Sequence, residues 1–115
     1  MNAPSTTPGM AVPRDHYPVG ETWIFDIGVA EIEHRFVAPG QLHYHVLSGP
    51  RRGSEETVPL DVQAIRPGVF LTSWQEQDRT TVVHLEDFER GEFFSHVSFS
   101  DGRFIRHHGR MRRAA

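Results

Sequence analysis

The run Glu92-Phe93-Phe94-Ser95-His96-Val97-Ser98-Phe99-Ser100-Asp101-Gly102-Arg103-Phe104-Ile105-Arg106-His107-His108 decides the fold. Asp101-Gly102 lies between two apolar-aromatic segments. Such a pair is a strong two-residue hairpin signal, because the turn needs residues that tolerate positive φ. The run predicts antiparallel strands over 92–99 and 103–112. Strand alternation puts Phe93, Ser95, Val97 and Phe99 on one face of the first strand, and Phe94, His96 and Ser98 on the other.

Working outward, turn signals recur at roughly ten-residue spacing, the pattern of an all-β sandwich or barrel. They are Gly28, Pro39-Gly40, Gly49-Pro50 through Gly53, Pro67-Gly68, Gln77-Asp78 and Arg90-Gly91. The remaining strands are expected over 21–28, 30–38, 41–48, 55–65, 69–76 and 79–88. No segment sustains a helical period, so no substantial helix is expected. In 79–88 Thr80, Val82, His84 and Glu86 share one face, with Thr81, Val83 and Leu85 opposite. In 69–76 Phe70, Thr72, Trp74 and Glu76 share one face, with Val69, Leu71, Ser73 and Gln75 opposite. Mixed faces of this kind suit a small barrel with a partly polar lumen, and a two-sheet sandwich would fit as well. The short connections favour a single antiparallel up-and-down, calycin- or lipocalin-like barrel of about eight strands. Closure also removes exposed sheet edges.

The 115 residues suit one domain. Residues 1–16, with three Pro, one Gly and small polar side chains, read as a flexible arm before a barrel domain over 17–115. The net charge of −3 gives no basic field for nucleic acid. All 12 basic residues are Arg, which GC-rich coding explains. The chain has no Cys, so disulfides and thiolate chemistry are excluded. No apolar run approaches a membrane span, and no secretory signal is evident, so neither a membrane nor export is expected and the cytoplasm is the default. Gly-rich phosphate loops and the G-x-S-x-G elbow are missing, which argues against nucleotide-dependent chemistry and triad hydrolysis, although a triad can be assembled from distant positions. No cofactor is expected.

From about Val58 to Arg110 the chain resembles the MoaF-like group of small lipocalin-type barrels. The carrying residues are Val62-Gln63-Ala64-Ile65-Arg66-Pro67-Gly68, Phe70-Leu71-Thr72-Ser73-Trp74-Gln75-Glu76, Val82-Val83-His84-Leu85-Glu86-Asp87-Phe88-Glu89-Arg90-Gly91 and Arg106-His107-His108-Gly109. The order Ser-Trp-x-Glu, strand, Asp-Phe-x-x-Gly is also similar to phenolic acid decarboxylases, which share that barrel type. This chain is shorter than those enzymes, and their full set of lumen residues has no place on it. The resemblance implies a fold and a ligand-holding lumen more than a reaction.

Trp74 and Glu76 are two apart and should share a face. A carboxyl beside an indole in a dry lumen is disfavoured as an anion, so its pKa should rise toward the range of a general acid or base. The alternative is a Glu76 exposed at the strand end. Tyr44 shares its face with Leu42 and Val46, so it should point inward and could donate to a ligand carbonyl or carboxylate, or serve as a core aromatic. Arg106, on the face of Phe104 and His108, could hold an anionic group or pair with Glu76. Glu76, Tyr44 and Arg106 are therefore the candidate catalytic residues. Trp74, His34, His84, His96 and Phe94 are candidate ligand-binding residues.

His43 and His45 stand at His-x-His spacing on the face opposite Tyr44, which admits a cupin-like metal barrel. The third and fourth ligands are missing at suitable spacing, so no metal site is assigned. Three classes stay open. One is a barrel that binds a small organic, aromatic or carboxylate-bearing molecule in its lumen, as a carrier or as a cofactor-free lyase or isomerase. The others are the cupin-like metalloprotein and a filled interaction module. A homodimer is plausible, and the basic end around Arg110, Arg112 and Arg113 reads as a solvated strand end.

Overall fold

The computed structural model describes residues 16–114, so the expected arm lies outside the described residues except for His16. Nine strands follow in chain order: β1 (Thr22–Asp26), β2 (Glu31–Ala38), β3 (Gln41–Val46), β4 (Glu55–Pro59), β5 (Asp61–Arg66), β6 (Val69–Gln75), β7 (Thr81–Asp87), β8 (Glu92–Ser98) and β9 (Phe104–Arg113). They form one antiparallel sheet in the order β4-β3-β2-β1-β9-β8-β7-β6-β5. The β1–β9 ladder, Trp23 opposite Arg113 through Asp26 opposite Arg110, joins the two ends of the chain into the wall.

The one difference in strand count is instructive. The run 55–65, expected as a single strand, is two strands that change partner at Leu60. Its first half pairs with β3, ending at Gln41 opposite Pro59, and its second half pairs with β6 from Asp61 opposite Ser73. Pro59 cannot donate to a ladder, and Leu60 turns its buried side chain into the core while its N–H bonds the Gly40 carbonyl at 2.8 Å. One continuous extended run therefore spans the seam, and the sheet is a nearly closed up-and-down barrel.

The Asp101-Gly102 hairpin forms, with a correction to its loop. Phe99 N–H bonds the Arg103 carbonyl at 2.8 Å, and three residues lie between them. Gly102 has φ 95°, so the turn is closed by a left-handed glycine rather than by a two-residue loop. Gly109 meets a different demand. A Cβ there would overlap the Asp26 carbonyl oxygen and lie 2.8 Å from the Phe93 ring, so β9 can cross β1 and the core only where the side chain is missing.

Aromatic packing fills one end of the barrel. Tyr17 makes edge contacts with Phe36, Phe70 and Phe88 at centroid distances of 4.8, 5.2 and 5.7 Å, and Trp23 meets Phe88 at 4.8 Å. Offset edge-to-face pairs of this kind add to the area they bury. Phe25, Leu42, Val58, Phe93 and Met111 continue the core upward. Toward the other end, side chains no longer meet across the axis, and a cavity opens.

Candidate functional site

The cavity has a volume of about 400 Å³. Its rim is built from the connections 27–30, 47–54, 76–80 and 99–103, which lie at the same end of the barrel. Most of its wall is aliphatic or aromatic, including Ile32, Val46, Trp74, Val82, Val97 and Phe99. Its polar groups are few: His34, Tyr44, Glu76, His84, Ser95 and their neighbours. A concave, apolar chamber with sparse, convergent polar groups is the usual form of a small-molecule site.

The floor carries the most unusual chemistry. Glu86 is fully buried, with 0 % exposure. Its Oε1 accepts from the Tyr17 hydroxyl at 2.6 Å, and its Oε2 accepts from the Thr72 hydroxyl at 3.1 Å. His84 Nδ1 lies 3.0 Å from the same Oε2. β6 and β7 bring these groups together: Thr72 and His84 are register partners, and Glu86 follows His84 by one inward position. Two hydroxyl donors thus engage both oxygens of this carboxyl, and the His84 ring lies beside one of them. With its proton on Nδ1, His84 donates to Oε2, and Nε2 is then without a partner among the described residues, on a ring that lines the cavity. Tyr17 serves as donor because burial, then the Glu86 charge and hydrogen bond, push its pKa well above the usual phenol value.

The His34, Phe25 and His84 rings form a triangle of near-parallel planes, with His34 4.1 Å from Phe25 and 5.7 Å from His84, and Phe25 5.5 Å from His84. Its Nδ1 is buried without a hydrogen-bond partner among the described residues. Burial, and then the proximity of His84, hold its pKa well below the ordinary histidine value, so it is neutral at physiological pH.

The mouth is acidic. Trp74 Nε1 donates to Glu76 Oε2 at 3.2 Å, and both side chains line the cavity. Burial raises the Glu76 pKa, the Trp74 hydrogen bond opposes the rise, and the charges of Asp78 and Glu56 add to it. Tyr44 lines the cavity and donates to Glu56 Oε1 at 3.0 Å, with its own pKa raised by burial and by Glu76 and Glu56.

Of the residues expected at the site, the barrel brings Glu76, Tyr44, Trp74, His34 and His84 to one cavity. It turns three others away. Phe94, His96 and Arg106 are exposed on the outer wall. Phe94 stacks on His108 at 4.2 Å, His96 meets the Phe104 edge at 5.6 Å, and the Arg106 guanidinium lies 5.6 Å from the Phe104 ring centre. The reason is the period of the strand. Phe93, Ser95 and Val97 face inward, so Phe94 and His96 cannot. Arg106 pairs with His96 across the ladder and shares its face, which rules out the Arg106–Glu76 pair. His43, on the wall opposite Tyr44, engages Thr57 at 2.7 Å and Glu55 at 3.0 Å through its two ring nitrogens. No cluster of three metal-ligating side chains occurs among the described residues. Glu86 and Tyr17 were not singled out from sequence. The signal for Glu86 was a carboxylate on the apolar inward face of Val82 and His84; for Tyr17 there was none, since it precedes the first strand.

Fold and cavity together define a small calycin-like barrel with a lumen open at one end. Residues 19–112 match the model of the MoaF-like family, and the chain belongs to it. A crystal structure from Burkholderia vietnamiensis, described as a "putative beta-lactamase", is similar: 26% identical, with a TM-score of 0.81 over 84% of this chain and 94% of that one. Among curated proteins, none matches this chain.

Proposed function

We propose that this barrel admits a small organic molecule to its lumen and moves a proton on it without a cofactor, as an isomerase or lyase would. His84 is the base and Glu86 the positioning residue. The observation that carries this reading is the buried Glu86, which three donors satisfy directly behind an imidazole that faces an apolar chamber. Burying a carboxylate is costly unless its hydrogen bonds are complete. Here that cost fixes the tautomer and orientation of one ring whose free nitrogen meets the cavity. A base held by an orienting carboxylate is the arrangement general-base chemistry requires.

The relative described as a β-lactamase suggests hydrolysis instead. This chain contains no lysine, so the S-x-x-K device of serine β-lactamases has no counterpart. Ser95 stands opposite His84 in the β7–β8 ladder, but no hydrogen bond links the two side chains among the described residues. Proton transfer uses the groups that are connected; acyl transfer needs one that is not.

The test is hydrogen exchange into an enolisable probe, phenylacetone, in heavy water followed by proton NMR. The wild-type protein should exchange the benzylic protons faster than buffer, and His84→Ala should fall to the buffer rate. If the ketone binds and exchange stays at the buffer rate, the catalytic reading fails and the lumen is a binding site only.

A further inference from the structure

The rim of the lumen carries charge of one sign. A second pocket of about 430 Å³ adjoins the cavity and shares Tyr44, Arg51, Ser54 and Glu76 with it. It adds Glu55, Glu56 and Asp78, so four carboxylates surround the entrance against one guanidinium. Glu55 is engaged by His43 on the outer wall. Glu56 Oε1 accepts from Tyr44, and its Oε2 accepts from the Gln77 amide at 2.8 Å, which points its charge across the entrance toward the 76–80 turn. Glu76 has one oxygen on Trp74, and its Oε1 has no hydrogen-bond partner among the described residues. Arg51 is exposed and forms no ion pair with these groups among the described residues. Arg51 offsets part of the Glu76 charge from a distance, but four carboxylates against one guanidinium leave the entrance net negative, and Glu56 and Glu76 repel one another across it.

At the inner end the His34 ring lines the same chamber, and its buried Nδ1 has no hydrogen-bond partner among the described residues. That ring is neutral, so it brings no positive charge to the inner wall that could receive an anion. Between the two ends lie the Trp74 indole and apolar side chains. The site thus combines a negative mouth with walls that are mostly apolar and carry Ser95 and His107 as polar groups.

We infer that the lumen selects organic cations, with a protonated amine held between Glu76 and Glu56 at the mouth and an apolar body inside. An ammonium there gains charge-assisted hydrogen bonds to the free Glu76 oxygen and relieves the repulsion between the two carboxylates. The adjoining Trp74 and Tyr44 rings add favourable faces for a cation. An anionic ligand of the kind the sequence suggested would meet the carboxylates first, and Arg106, the group expected to receive it, lies on the outer wall. The inference rests on the lumen being a ligand site, as proposed above, and names its ligand class.

The test compares benzylamine, benzyl alcohol and benzoate, which differ mainly in charge, by calorimetric titration of the full chain at low salt. Benzylamine should bind about tenfold tighter than benzyl alcohol, the scale of one charge-assisted contact, and benzoate should bind weakest. Glu76→Gln should bring the amine-to-alcohol ratio to within about twofold. Arg51→Ala, at an exposed position that does not threaten folding, should tighten amine binding. If the alcohol binds as well as the amine, or benzoate binds best, the cation preference is overturned while the lumen site stands. If none of the three binds, the lumen reading itself is overturned, and the preference with it.

Discussion

Truncating Glu86 should damage this protein more than removing any other single carboxyl. Glu86→Ala leaves the Tyr17 hydroxyl, the Thr72 hydroxyl and His84 Nδ1 without their acceptor around a fully buried position. A buried donor left unpaired costs about 1–3 kcal/mol, so three of them imply a loss of roughly 5 kcal/mol, a large part of the stability of an ordinary domain. Glu86→Gln behaves differently. Its carbonyl oxygen can replace Oε2 and keep Thr72 and His84, while its amide faces Tyr17, whose oxygen can accept. Only the phenol proton then lacks a partner, and the loss should be about 1–2 kcal/mol. For a domain of this size, about 4 °C of melting temperature per kcal/mol separates the two variants by more than ten degrees, roughly. Urea denaturation and calorimetry measure both. If Glu86→Ala unfolds with less than about 1 kcal/mol of loss, or if the two variants are equally destabilised, the carboxyl is not the hub that the geometry makes it.

Three further outcomes follow from the same contacts. The folded-state pKa of Tyr17 is raised, so the stability it contributes is complete below the unfolded value near 10 and is lost as pH climbs beyond it. The chain has two Tyr, no Cys and no Lys, so Tyr17→Phe should visibly flatten the alkaline decline in denaturant midpoint, with a residual slope from Tyr44. The folded-state pKa of His34 is depressed, so its contribution is present above about 6.5 and is lost as the pH falls; His34→Phe, which keeps the stack on Phe25 and removes the unpartnered nitrogen, should be more stable than wild type at about pH 5 by thermal melting. Gly109→Ala forces a Cβ against the Asp26 carbonyl and the Phe93 ring, and should cost at least about 2 kcal/mol or prevent folding, as judged by circular dichroism of the purified protein.

The wall of the barrel was legible because strand alternation and turn chemistry are local. The Asp101-Gly102 hairpin follows from its turn residues, and the shared face of Thr80, Val82, His84 and Glu86 and the pairing of Trp74 with Glu76 follow from a period of two. The seam at Leu60 was not legible, because a strand that changes partners keeps its alternation and only the ladder beside it switches. Phe94, His96 and Arg106 were misplaced for a different reason. β8 carries a phenylalanine on each face, Phe93 and Phe94, and β9 a histidine on each, His107 and His108, so composition did not choose between the faces, and an error of face turned three candidates outward together. Glu86 stood on the correct face but was passed over in favour of Glu76. The partners that make it notable, Tyr17 and Thr72, lie 69 and 14 residues away in sequence. Convergence across that distance is a property of barrel closure, which no single segment encodes.

The proposed hold of Glu86 on the His84 tautomer, at the floor of the lumen, is read by nitrogen NMR of the histidine side chains with and without saturating benzylamine or benzyl alcohol. His84 should be Nδ1-protonated at neutral pH, with an Nε2 resonance that moves when a ligand fills the cavity, and Glu86→Ala should lose that fixed tautomer. An Nε2-protonated His84 in the wild-type protein, or an Nε2 resonance that stays still while ligand is demonstrably bound, would contradict it.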